Sequence, residues 1–213
     1  MNELISGGMC GLSQTIVGHP FDTLKVRIQN KRYNFRLPIY KYFRGIGFPI
    51  ISNTIVNSIL FCEYGYFKKN LNNTFLAGFV SGVLCSPIIY LFDNGKTLRQ
   101  MGMTVNLNKL VTRSGFVSVL LRESIAFSVY FGSYEWLKND KQMHPLISGG
   151  LSGLANWTIT YPIDVIRNRQ IINNISMKEA YKQGNLWRGF SICAFRAVLV
   201  NSVGFYVYEL FSK

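Results

Sequence analysis

Six apolar stretches, at 3–28, 46–67, 73–93, 115–138, 145–169 and 189–211, alternate along the chain with shorter polar segments. Each holds the roughly 20 residues that an α-helix needs to cross the hydrocarbon core of a bilayer. The pattern therefore predicts an all-α membrane protein with six transmembrane helices. Several stretches are interrupted by a charged residue, which is costly against lipid and predicts helices gathered around a polar interior. Ionisable side chains in such an interior are candidates for function.

The stretches come in pairs. Ile5–Ser13 (ISGGMCGLS) returns as Ile147–Ala155 (ISGGLSGLA), an offset of 142 residues that also carries Pro20 to Pro162, Asp22 to Asp164, Lys25 to Arg167 and Arg27 to Arg169. A middle copy is visible at Leu76–Pro87 (LAGFVSGVLCSP). Phe43-Arg44-Gly45 returns as Trp187-Arg188-Gly189, and Tyr64, Tyr134 and Tyr208 close the second helix of each pair. The chain thus divides into three two-helix repeats, 1–70, 71–142 and 143–213, expected to form a pseudo-threefold bundle. Gly7 and Gly11, Gly78 and Gly82, and Gly149 and Gly153 repeat a GxxxG spacing, which lets helix backbones approach closely in lipid.

Composition sharpens this picture. Charged residues are only 15% of the 213, against about 25% in soluble domains, yet the net charge is +13. Fourteen of the 23 bases lie in three segments, 31–44, 93–115 and 167–189, each between two apolar stretches. Bases gathered on one side of a set of spans follow the positive-inside pattern. A nucleic-acid domain would instead show one continuous basic face with interleaved aromatics, so no nucleic-acid polymer is expected as a partner. Cys10, Cys62, Cys85 and Cys193 stand far apart without a CxxC, so no metal site or disulfide framework is indicated. His19 and His144 read as structural residues at helix ends. No nucleophile–base pair or glycine-rich loop after a strand is visible, and neither enzymatic activity nor a cofactor is expected.

The run Pro20-Phe-Asp22-Thr-Leu-Lys25 has a physical reading. Proline removes a helix hydrogen bond and bends the helix, so kinks are expected at Pro20, Pro87 and Pro162. Asp22 and Lys25 are three apart and share one helix face. In a ring of three such helices, the acid of one can pair with the base of the next and close the floor of a cavity.

With Pro162, Asp164, Arg167 and Arg169 followed by Trp187-Arg188-Gly189, the chain resembles the mitochondrial carrier family, whose signature is Pro-x-acid-x-x-base-x-base, a short matrix segment, then aromatic-base-Gly. The resemblance implies solute exchange by alternating access across the mitochondrial inner membrane, by a multi-pass protein with short matrix-side segments. It also implies a functional monomer and contact with membrane lipids, anionic ones such as cardiolipin included. The units are shorter than usual, about 70 residues in place of the family's hundred or so. The second unit departs from the signature: counted from Pro87, its acid and base positions hold Ile89 and Phe92, and its later signal is worn to Arg113-Ser114-Gly115. Among the matrix-side gate residues Asp22, Lys25, Gln29, Asp164 and Arg167, only Asp164 with Lys25 is then expected to pair, with Gln29 as a brace. The opposite gate would use Tyr64 and Lys68, then Tyr134, Glu135 and Lys138, then Tyr208 and Glu209. There the cyclic order leaves one complete pair, Glu209 with Lys68.

Solute contacts in such carriers lie about twelve residues, or about 18 Å, before those tyrosines. Counting back reaches Ser52 and Asn53, Arg122 and Glu123, and Arg196. The Arg–acid pair and the run Arg196–Asn201 (RAVLVN) are similar to carriers of carnitine and basic amino acids. Arg196 would clamp a carboxylate and Glu123 would receive an ammonium, unless Arg122 and Glu123 merely satisfy each other. The expected partner is a small-molecule metabolite of that class. A nucleotide exchanger and a non-transporting adaptor of the same fold are the alternatives.

Overall fold

The computed structural model describes residues 2–30, 38–71, 73–106, 110–111, 114–197, 199–200 and 203. The side chains of 2–11, 54, 57–58, 60–65 and 145–146 lie outside that description. The described chain is helical, without strands. Long helices α1 (Asn2–Gln29), α3 (Gly47–Leu71), α4 (Thr74–Gln100), α5 (Phe116–Glu135), α6 (Pro145–Asn173) and α8 (190–197) follow the six apolar stretches in order. Two short helices, α2 (Ile39–Tyr42) and α7 (Met177–Lys182), lie in the polar segments. A π-helical turn, Trp136–Asp140, extends α5.

Burial is inverted relative to a soluble bundle. Ile16, Phe79, Leu84, Val117, Leu154 and Ile159 are exposed, whereas Thr23, Lys25, Gln29, Asn94, Asp164 and Arg169 are buried. An exposed apolar shell over a polar interior is the arrangement that lipid demands. Among the described residues, only Thr74–Gln100 and Phe116–Asp140 are long and apolar enough to qualify as spans by composition alone. Helices α1 and α6 carry the acids and bases of the interior, which dilute their apolar content.

Close packing is seen where α4 meets α5. A Cβ on Gly78 would stand 2.5 Å from the Phe127 carbonyl oxygen, and one on Gly82 would stand 2.6 Å from that of Glu123. The two glycines therefore let the backbones touch, as the GxxxG spacing predicts. At Gly149 and Gly153 no described atom comes within 4 Å of an added Cβ.

The polar segments fold back under the helices. His19 Nε2 donates to the Arg44 carbonyl at 3.0 Å, and Thr23 Oγ1 donates to the Tyr42 carbonyl at 2.8 Å. His19 is thus buried inside α1, not at a helix end, while His144 immediately precedes α6. In the third unit, Tyr161 OH donates to the Arg188 carbonyl at 3.0 Å, and the Arg169 guanidinium donates to the Gly184 carbonyl at 2.8 Å. Gly45, Gly115 and Gly189, the glycines of the three aromatic-base-Gly signals, have φ of +85°, +124° and +86°. That left-handed backbone explains why glycine persists in the worn middle copy. Helix α7 begins with a capping box, in which the Ser176 backbone N–H and hydroxyl hold the Glu179 carboxyl below its usual range.

Pro20, Pro87 and Pro162 all sit inside continuous helices. Because backbone atoms wall off Gly82, replacing it with Val should cost about 1–3 kcal/mol through overpacking. A melting temperature in detergent several degrees below that of the parent protein is the expected result.

Candidate functional site

Three ion pairs close a ring across α1, α4 and α6. Lys96 Nζ meets Asp22 Oδ2 at 2.7 Å, the Arg167 guanidinium meets Asp93 Oδ2 at 2.6 Å, and Lys25 Nζ meets Asp164 Oδ2 at 2.6 Å. This overturns the expectation that Asp22 faces Phe92 and that Arg167 faces Ile89. The acid of the middle unit is Asp93 and its base is Lys96. Asp22, Asp93 and Asp164 are spaced by 71 residues in turn, as are Lys25, Lys96 and Arg167. Pro87 lies one helical turn ahead of that register, which would place it at Leu91. Counting from the proline therefore led to the wrong turn. Ile89 packs with Val56, Ala77, Cys85 and Phe131 in an apolar cluster, and Phe92 lines a separate pocket with Arg44 and Arg99.

Burying these charges is costly unless each finds an opposite charge and its remaining lone pairs are satisfied. The Lys25–Asp164 pair is the most enclosed, with side chains only 6% and 1% exposed. Its support comes from Gln29, which donates to Asp164 Oδ2 and accepts from Asn168 Nδ2 at 2.6 Å. The same amide reaches Tyr161 OH at 3.2 Å. Lys25 also lies 4.4 Å from the centre of the Trp157 ring, a cation–π contact that suits a desolvated ammonium. Arg167 ties the ring together, because it reaches Asp164 Oδ1 at 3.1 Å in addition to Asp93.

The residues expected to contact solute stand directly against this ring. Arg122 pairs with Glu123, whose carboxylate is also 3.8 Å from Arg167. Arg196 Nε is 2.7 Å from Asp22 Oδ1. A cavity of 220 Å³ gathers Asn53, Arg122 and Arg196 with the six ring residues. Ser52 is not among its lining residues, and Glu123 joins only through its pair with Arg122. Sequence reasoning missed Asp93, Lys96, Gln100 and Trp157, all of which line the cavity. The first three were legible from the 71-residue step, since Gln100 stands 71 after Gln29. Trp157 carried no such signal; its ring is 5.0 Å from the Arg122 guanidinium.

At the far end of the helices, Lys68 pairs with Glu135, and Asn139 Nδ2 donates to the other Glu135 oxygen at 2.6 Å. The cyclic order had assigned Lys68 to Glu209, and it did not include this pair. Lys138 Nζ lies 5.6 Å from the centre of the Tyr134 ring. The side chain of Tyr64, and all of Tyr208 and Glu209, lie outside the described residues. Among the described residues no group of three His, Cys, Asp or Glu side chains is placed to hold a metal ion.

A family model described as mitochondrial carrier protein matches residues 1–37 and 138–213. The mitochondrial basic amino acids transporter of Bos taurus is 30% identical, over 78% of this chain and 72% of its own length. The mitochondrial arginine transporter BAC2 of Arabidopsis thaliana is 26% identical, over 98% and 89%. The mitochondrial carnitine/acylcarnitine carrier protein of Rattus norvegicus is 25% identical, over 99% and 93%.

If Asp93 is the middle acid, a double-mutant cycle of Asp93→Asn and Arg167→Gln should give a coupling energy of about 0.5–3 kcal/mol, as contacting charges do. Thermal or denaturant unfolding in detergent would measure it, and additive effects would contradict the pairing.

Proposed function

Because the chain belongs to the mitochondrial carrier family, we propose that it exchanges a small solute bearing both a carboxylate and a cationic group, of the basic amino-acid or carnitine class. The exchange takes place across the mitochondrial inner membrane, by alternating access in a six-span bundle of three repeats, 1–70, 71–142 and 143–213. The observation that carries this reading is the juxtaposition of Arg196 and the Arg122–Glu123 pair with a closed ring of three ion pairs. An arginine offers a planar fork to a carboxylate, and Glu123 offers the only carboxylate of this group outside the ring. The ring itself is the closed floor that alternating access requires on one side at a time.

The alternatives fare less well. An adaptor without transport was attractive when half the gate looked lost, and the complete ring removes that reason. A nucleotide calls for a roomier site than 220 Å³, since pockets for drug-sized ligands run to roughly 300–1,000 Å³. Similarity to transporters named for basic amino acids, arginine and carnitine supports the smaller solute.

Purified protein in liposomes tests this. Labelled arginine or carnitine should enter saturably, and faster when the same solute is loaded inside. Arg196→Ala should slow that uptake by about 30-fold or more, because truncating one partner of a buried charged contact costs about 2–5 kcal/mol. Uptake confined to nucleotides, or normal uptake by Arg196→Ala, would contradict the reading.

A further inference from the structure

Asp22 is engaged twice. Its Oδ2 holds Lys96 of α4 in the ring, while its Oδ1 holds Arg196 of α8. Neither bond excludes the other, so one carboxylate ties α1 to two helices at once. The seat of Arg196 is built into α1 as well. One turn before Asp22 stands Gly18, where an added Cβ would come within 3.1 Å of Arg196 Nε and 3.0 Å of Val200. The missing side chain at position 18 leaves room for the guanidinium to lie against α1 and turn its Nε towards Asp22.

The other two ring acids have no equivalent tie to α8. Asp93 meets Arg167, and Asp164 meets Lys25 and Arg167, all within the ring. The Asp22–Arg196 pair is therefore a fourth lock, placed between the solute contact and the floor. For the floor to open, α1 and α8 must part and Arg196 must leave Asp22. An arginine cannot shed its charge, and a buried charge without a partner is strongly disfavoured.

We propose that Asp22 makes exchange obligatory by holding Arg196 in the empty carrier, so that the floor opens only when the free carboxylate of a solute replaces Asp22 on Arg196. This rests on the exchange reading above. It adds a specificity rule and a coupling rule. A solute whose carboxylate is blocked can occupy the cavity without releasing the lock, and the empty carrier cannot return by itself.

Two arms test the proposal in liposomes. In the first, wild-type protein is offered arginine against argininamide and carnitine against its methyl ester. The blocked compounds should exchange at least about tenfold more slowly than the parent solute while still inhibiting its uptake. In the second, Asp22→Asn is compared with Lys96→Gln. Both lose the same ring pair, but only Asp22→Asn frees Arg196. Asp22→Asn should take up solute into liposomes with nothing loaded inside and show a lower KM for the free carboxylate, whereas Lys96→Gln should remain dependent on internal solute. Equal exchange of blocked and free carboxylates would overturn the proposal, as would identical behaviour of the two variants. If Asp22→Asn does not fold, the first arm still decides. No uptake of any free amino acid or carnitine by wild-type protein would overturn the exchange reading itself, and the lock with it.

Discussion

A charge removed from water has to meet its opposite, and the interior of this protein is organised around that requirement. Lys25, Lys96 and Arg167 on three different helices have no local acid that would neutralise all of them, so each reaches across to its neighbour. Pairing between helices forces α1, α4 and α6 together at one level. Everything above and below is arranged from there: the polar segments that fold under the helices, the cavity, and the cations that line it.

Pairs of this kind add little net stability, because desolvation offsets most of their attraction. That is a liability in a static core and an asset in a gate. A floor made of apolar side chains would be difficult to separate and reclose, whereas ion pairs can exchange partners with a charged solute or with water at modest cost. Gln29 and Asn168 reinforce the most enclosed pair, while Asp22 and Asp93 remain partly accessible from the cavity. The ring is therefore unevenly braced, and its more accessible acids are the ones nearest the cavity arginines.

The middle unit shows how such a ring tolerates sequence drift. Its proline moved by one turn and its aromatic-base-Gly signal lost the aromatic, yet the acid and base stayed in register. What the ring needs is a carboxylate and a cation at one height on each helix, three residues apart so that they share a face. Proline shapes the helix but makes no ion pair, so it can move more freely. The glycine at position 115 persists because its backbone conformation admits little else.

Length, the six helices, the inside placement of charge and the first and third gate motifs were legible in the sequence by itself, since hydrophobic runs and i,i+3 spacing are local properties. So was the register of the middle unit, because half of the 142-residue offset lands on Asp93 and Lys96; anchoring on Pro87 concealed it. Which partner each charge takes was decided only by the tertiary structure. Arg196 could have stood free in the cavity, and Lys68 had more than one acid to choose from. That Arg196 lies against Gly18 and shares Asp22 with Lys96 follows from the distance and tilt between α1 and α8. Those are set by packing across the whole bundle, and no spacing along the chain encodes them.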